Sequence, residues 1–219
     1  MSRKTKFLLD KVYANAKSYL DLPWHDPEPS PMLVRTLDQR TTPGNALDIG
    51  CGAGTYSLYM AGRGYAVTAL DFIPQAVEMA RCRAANAGHN IDVVEKDLRT
   101  WTTNKRFDVI LDVGCFHSLT SRDRSVYREQ LLRWLAPGGN FVLTHWHSRG
   151  WWDHWPIGPR RVDRRDVERF FAPELTLADS MSQLRTGMPW LMGRSVLAVF
   201  FCFHRPASSS SSSIDESGA

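Results

Sequence analysis

The sequence has no Cys-x-x-Cys pair and no cysteine–histidine framework. Its four cysteines, Cys51, Cys82, Cys115 and Cys202, are scattered through 219 residues. That spacing argues against structural zinc and leads us to expect free thiols in a reducing compartment. No apolar run approaches the length of a membrane span. The first apolar run is broken at Asp10 and Lys11, so a signal-peptide core is missing too. Charge of one sign is scarce: 27 Lys and Arg against 23 Asp and Glu leave a net charge of +4, which does not argue for nucleic acid. There is no internal repeat. These absences lead us to expect a soluble cytoplasmic protein with neither a nucleic-acid nor a membrane partner; they leave the oligomeric state open.

Tryptophan is abundant, with eight residues. Apolar residues from Phe7 to Leu20 recur every three to four positions and predict an amphipathic helix. The proline-rich stretch LPWHDPEPSP breaks it, and Ser30 followed by Pro31 predicts the cap and first position of a helix to about Arg40. From there short apolar runs alternate with helical stretches. Strands are expected at 46–49, 66–70, 91–94, 107–111 and 140–144, with helices at 55–61, 74–87 and from Ser121 to about Leu135. This alternation predicts βαβ units and a parallel sheet. A short helix capped by Asp163 and two closing strands, 175–178 and 195–203, are expected after a long loop rich in tryptophan and histidine. The Ser-rich end cannot bury enough surface to order itself.

The stretch ALDIGCGAGTY is a strand running into glycines. Glycine permits unusual backbone angles and close approach of a ligand. The dinucleotide fingerprint G-x-G-x-x-G fails in both registers, because Thr55 or Ser57 stands where its third glycine belongs. Asp48, two residues before Gly50, would oppose a pyrophosphate. A ligand with a positive head suits it better. S-adenosylmethionine (SAM), with a sulfonium, an ammonium, a ribose and no phosphate, has that character.

LDIGCGAG resembles the first motif of class I SAM-dependent methyltransferases of the small-molecule type. The resemblance continues in order through Asp71, Asp97-Leu98, FDVILDVGCFH and LAPGGNFVL, over roughly residues 45–144. It implies a single Rossmann-like three-layer α/β/α domain with a mostly parallel seven-stranded sheet, an antiparallel last-paired strand and an N-terminal helical lid. The expected organisation is a lid at 1–40, the SAM-binding domain at 41–205 and a disordered Ser-rich tail at 206–219. It also implies SAM as cofactor, held by the turn residues Asp48, Gly50, Cys51, Gly52 and Gly54. Asp71 would hold the ribose hydroxyls, with Phe72 beside it, and Asp97 and Leu98 would meet adenine. Asp112 would lie near the methionine moiety or substrate, with a structural role as the alternative. Tyr13, Tyr19 and Trp24 resemble the family's aromatic lid, and Tyr19 and Trp24 would close over the site.

The expected reaction is SN2 transfer of the methyl group to a nitrogen, oxygen, sulfur or carbon nucleophile of a small molecule. His117 is the first candidate base, with His145 and His147 behind it. No metal is expected. His145 and His147 form a His-x-His pair near Asp153 and His154, but no further ligand spacing supports chelation. Trp146, Trp151, Trp152 and Trp155 would pack the loop or wall a substrate pocket. Two other readings remain open. One is a SAM-using enzyme that transfers the aminocarboxypropyl group or cyclises SAM, releasing methylthioadenosine; the other is a noncatalytic SAM-binding module. An RNA methyltransferase is weaker, since DVGC stands where an N-P-P-Y-type motif would follow the fourth strand.

Overall fold

A computed structural model describes residues 3–26, 28–147, 161–187 and 195–207. The chain begins with helix α1 (Arg3–Asn15) and α2 (Pro31–Asp38). It then alternates β1 (Asn45–Ile49), α3 (Thr55–Gly62), β2 (Ala66–Asp71), α4 (Pro74–Asn86), β3 (Asp92–Glu95), β4 (Phe107–Val113), α5 (Ser121–Trp134) and β5 (Leu135–His147). Helix α6 (Arg164–Phe171) and strands β6 (Thr176–Thr186) and β7 (Ser195–His204) complete it. The seven strands lie in the order β3-β2-β1-β4-β5-β7-β6. Strands β1 to β5 pair in parallel, and β7 runs antiparallel to both β5 and β6. This is the doubly wound α/β architecture expected from the sequence, with β7 as the reversed strand.

Central strands are apolar on both faces because helices cover both. On one face Ala46, Val67, Val109, Leu111, Val142 and Phe200 pack with Met32, Leu33 and Leu37 of α2 and Met60 of α3. On the other, Leu47, Ile110, Phe141, Leu143 and Phe203 pack with Tyr127, Leu131 and Trp134 of α5 and Val167 and Phe171 of α6. Helix α2 therefore belongs to the sheet-and-helix body, fully buried at Met32 and Leu33 and tied to β6 by an Arg35–Asp179 ion pair of 2.6 Å. The lid boundary expected at residue 40 falls beyond an element of the core.

Several boundaries differ from the sequence expectation for local reasons. Helix α1 stops at Asn15, not Leu20, because Ser18 and Asp21 form a capping box that starts a 3-10 turn at Tyr19–Asp21. Thr120, not Ser121, caps α5, accepting from the Asp123 amide. Asp163 caps α6 as expected, accepting from the Arg165 amide. The APGG turn survives as an irregularity inside β5. Leu135 pairs with Phe107 and Asn140 with Val109, so five steps along β5 match two along β4.

At the switch point, where strand order reverses between β1 and β4, the carboxyl ends of the strands are free to build a site. Gly54, which precedes α3, has a φ of 76°, and a Cβ there would lie 3.1 Å from the Ala80 Cβ of α4. Gly54→Ala should therefore cost about 2 kcal/mol, from left-handed backbone strain plus crowding. Urea unfolding measures this, and a loss under about 0.5 kcal/mol would show that α4 yields without cost.

Candidate functional site

The turn after β1 carries positive φ at Gly50 (69°), Gly52 (54°) and Gly54 (76°). Side chains are barred for separate reasons. A Cβ on Gly50 would lie 3.0 Å from the Cys115 Cβ, and one on Gly52 would lie 2.8 Å from the Tyr13 hydroxyl. The amides of Gly50 and Cys51 both donate to the Leu70 carbonyl, at 2.8 and 3.1 Å. The Gly52 amide donates to Asp71 Oδ2 at 2.9 Å, while Asp71 Oδ1 accepts from the Ile73 amide at 2.9 Å. An ionised carboxylate accepts about four hydrogen bonds, so Asp71 retains capacity for a diol. It is 7% exposed, and burial raises its pKa.

The missing fingerprint glycines have a structural explanation. Ser57 Oγ donates to Asp48 Oδ2 at 2.6 Å, and Thr55 Oγ1 accepts from Arg83 Nη1 at 3.0 Å. Each hydroxyl holds part of the turn that a glycine could not. Asp48 is buried, and burial pushes its pKa up to about 7; the Ser57 bond opposes that, and the charges of Asp112 and Asp71 add to it. Two buried carboxyls, Asp48 and Asp71, thus stand at the ends of β1 and β2. A cation beside them would favour their ionised form, whereas a pyrophosphate would oppose it.

Asp112 does not face this space. Fully buried, it accepts from the amides of Cys115 (2.8 Å) and Phe116 (3.0 Å) and from the Tyr127 hydroxyl (2.7 Å). These bonds give it the structural role weighed for it: it folds the loop that presents Cys115 and His117. Burial raises its pKa to about 6.

That loop brings two of the three candidate bases together. His117 is 6% exposed and His145 1%, and their ring centroids lie 5.8 Å apart at 89°. The Trp146 ring lies 5.1 Å from His117. Burial lowers the pKa of both histidines, His117 well below the usual value and His145 to about 4. His147 stands apart, with Nδ1 3.1 Å from the Val162 carbonyl, and borders a cleft of about 510 Å³ with Asp163, Arg164, Arg165 and Glu168. Among the described residues no three His, Cys, Asp or Glu side chains converge as a metal site. Arg149, Trp151, Trp152, Asp153, His154, Trp155 and Arg160 lie outside the described residues.

Asp97 is engaged by its neighbour. Arg99 Nη2 lies 2.5 Å from Oδ2, its Nε lies 3.0 Å from Oδ1, and Arg99 also reaches Asp123 at 3.0 Å. The Arg99 hydrogen bond holds the Asp97 carboxyl below its usual range. Leu98 is buried beside it, and Phe72 follows Asp71 half-buried, with Lys6 Nζ 5.7 Å from its ring.

The N-terminal segment reaches the turn through Tyr13 and is held there by Arg83, which the sequence did not single out. Tyr13 is 5% exposed, packs edge-on with Trp24 at 5.5 Å and stands over Gly52. Arg83 of α4 donates to the Ala53 carbonyl at 2.6 Å and stacks its guanidinium 3.7 Å from the Tyr19 ring. Asp26 is ion-paired with Arg185 of β6 at 2.5 Å. Residues 13–26 are therefore anchored on both sides of the carboxyl ends. A helix-borne arginine gives no sequence signal of this, whereas Tyr13 stands among the three aromatics that resemble a lid.

This fold, with glycines and an acid at the ends of β1 and β2, defines the class I, Rossmann-like methyltransferase scaffold. Residues 46–139 match the family model described as a methyltransferase domain. The chain is 33% identical over 123 residues to 2-heptyl-1-hydroxyquinolin-4(1H)-one methyltransferase of Mycobacteroides abscessus, covering 55% of this chain and 54% of that relative. The chain spans about half the length of the curated relatives it matches. Among solved structures, one from the conversion of a disulfide bond into a thioacetal group during echinomycin biosynthesis superposes with a TM-score of 0.74, 26% identity and 93% coverage of both chains. The N-methyltransferase NodS of Bradyrhizobium japonicum, bound to S-adenosyl-l-homocysteine, has a TM-score of 0.67 at 19% identity, covering 92% of this chain and 98% of its own, and shares the fold.

Two expectations follow from this geometry. Burial raises the Asp48 carboxyl above its unfolded value, so between about pH 4 and pH 7 the native state holds more protons than the unfolded one. Its contribution to stability is complete below about pH 4 and is lost as pH rises through about 7. Unfolding free energies of Asp48→Asn and the parent should therefore diverge in the variant's favour between about pH 4 and pH 7, and a pH-independent difference would refute the assignment. Arg83→Gln removes the Tyr19 stack and the Ala53 bond; limited proteolysis should then cut within residues 16–26 about tenfold faster, and an unchanged rate would mean Arg83 does not anchor the segment.

Proposed function

We propose that the protein is a SAM-dependent methyltransferase that moves a methyl group onto a nucleophilic nitrogen, oxygen, sulfur or carbon of a small molecule. The observation that carries this is the Gly52 amide closed onto Asp71 at the paired ends of β1 and β2. The donor set fits SAM: Asp71 can accept from two vicinal hydroxyls, the bare turn admits close approach, and the buried carboxyls of Asp48 and Asp71 favour a positive ligand.

SAM supplies a methyl carbon made electrophilic by its sulfonium. The chain binds and aligns. Asp71 would hold the ribose, with Phe72 at its side. Asp97, sharing its carboxylate with Arg99, and the backbone of Leu98 would meet the adenine edge. Asp48, Gly50, Cys51, Gly52 and Gly54 would form the floor under the cationic portion, and Asp112 would act through the loop it folds. Residues 3–26, with Tyr13, Tyr19 and Trp24, would serve as the lid that excludes water. The body would run from α2 to about residue 205. The acceptor would lie against Trp146 with His117 as its base, and His147 too far along β5 to share that task.

The mycobacterial relative is named for a hydroxylated quinolone, which makes flat heteroaromatic acceptors the first to try. The small net charge supports a small molecule over nucleic acid, and four unpaired cysteines support a cytoplasmic setting. No helix among the described residues is long and apolar enough to cross a membrane.

Purified protein incubated with SAM and a panel of hydroxyquinolones, phenols, thiols and amines should release S-adenosylhomocysteine only when an acceptor is present, read by mass spectrometry. Methylthioadenosine without an acceptor would replace this reading with a non-methylating enzyme. Binding of SAM without turnover across the panel would favour a binding module. In calorimetry, Asp71→Ala should weaken SAM binding at least about tenfold, as expected for losing charged hydrogen bonds. Unchanged affinity would remove Asp71 from the ribose site.

A further inference from the structure

The three candidate bases are not equivalent. His145 Nδ1 lies 2.9 Å from the carbonyl oxygen of Trp146. A carbonyl only accepts, so Nδ1 carries the proton, and Nε2 of the neutral ring is a bare lone pair. That Nε2 is buried with no hydrogen-bond partner. In the neighbouring ring, His117 Nδ1 is likewise buried without a partner. Two orphaned, complementary ring nitrogens in adjacent rings, each ring more than nine-tenths buried, are costly unless they serve each other. No hydrogen bond joins them in the structure: the rings stand perpendicular with centroids 5.8 Å apart, and a ring shift of about 0.6 Å with reorientation is needed to close an N–H···N bond. The other edge of His117 faces the turn: a Cβ on Gly114 would lie 3.5 Å from its Nε2 and its Cε1. Beyond that turn Cys115 leans onto Gly50.

We propose that His145 is a positioning residue whose Nε2 accepts the Nδ1–H of His117, fixing His117 in the tautomer that presents a bare Nε2 to the methyl acceptor. This rests on the methyltransferase reading for its chemistry but not for its geometry. As the acceptor atom bonds to the methyl carbon, its X–H bond breaks, the electron pair stays on X, and the proton passes to His117 Nε2. The resulting imidazolium is held through Nδ1–H by the His145 lone pair until its proton leaves to solvent.

The surroundings suit a neutral pair at rest. Arg124 of α5 faces both rings and lies over Phe116 at 4.5 Å, with His147 further along β5. Asp112 is occupied by Tyr127 and two amides, so it supplies neither ring with a counter-charge. Trp146 and Phe116 wall the remaining sides. An unassisted His117 would be free to carry its proton on either nitrogen, and only one of those forms is a base toward the acceptor.

Ring-nitrogen spectroscopy of the full chain with isotope-labelled histidines tests this without any ligand. Both His117 and His145 should be found as Nδ1–H tautomers in the parent. In His145→Phe, which keeps an aromatic ring against Phe116, His117 signals should shift toward the Nε2–H form. In His145→Gln, whose amide oxygen can accept, the parent tautomer of His117 should return. His117 as Nε2–H in the parent, or unchanged in His145→Phe, would overturn the proposal. If His145→Phe does not fold, the parent tautomer alone decides. Calorimetry with SAM on the same parent sample separates the two readings: absent SAM binding would sink the methyltransferase while leaving the tautomer result standing.

Discussion

The site depends on one hydrogen bond between neighbouring strands. The Gly52 amide reaches Asp71 across the ends of β1 and β2, and it can do so only because the backbone at Gly52 turns through positive φ. The strand register sets the distance: Ile49 stands beside Leu70, one step before Asp71. The Leu70 carbonyl then takes the amides of Gly50 and Cys51, so three successive turn residues are pinned to one strand end. What is left between them is backbone without side chains and a carboxylate held rigidly from behind. Such a rigid shell lets a ligand bind without first ordering its site.

Around that centre the protein balances negative charge by burial rather than by pairing. Asp48 and Asp112 are both kept from solvent, yet neither has an arginine or lysine among its hydrogen-bond partners. Cationic side chains sit one layer out. Arg83 grips the turn through a carbonyl and a hydroxyl, Arg99 holds Asp97, and Arg185 holds Asp26. The arginines are occupied in that outer ring, so none of them neutralises the buried Asp48 or Asp112, and the N-terminal segment is fastened by the same ring.

Much of this was readable in the residues. Alternating short apolar runs and helical stretches gave the order of elements, because each central strand must be apolar on both faces and each helix on one. Asp48, Asp71 and the three glycines were legible because their chemistry is unusual at strand ends. Asp112 was left between a place near the methionine moiety and a structural role, since sequence position does not reveal which way a carboxylate turns; here three donors draw it inward. Helix α1 was overextended past Ser18-Tyr19-Leu20-Asp21, although a serine and an acid three apart is itself a cap signal. Arg83 escaped notice because its partners are distant in the chain, and no local pattern records a contact made by tertiary packing.

The reversed strand has a consequence for how the molecule is made. In the order β5-β7-β6 the last strand fills the gap between two that precede it, so β6 has no place on the sheet until β7 arrives. A chain emerging from the ribosome through β6 would present the long edge of β5 unpaired, with Phe141, Val142 and Leu143 among its residues. Such an edge is a template for pairing with other chains. Closing it falls to Val196 through Phe203, one of the most apolar stretches in the sequence, and a ribosome that stalls shortly before that stretch would release a chain already committed to a sheet it cannot finish.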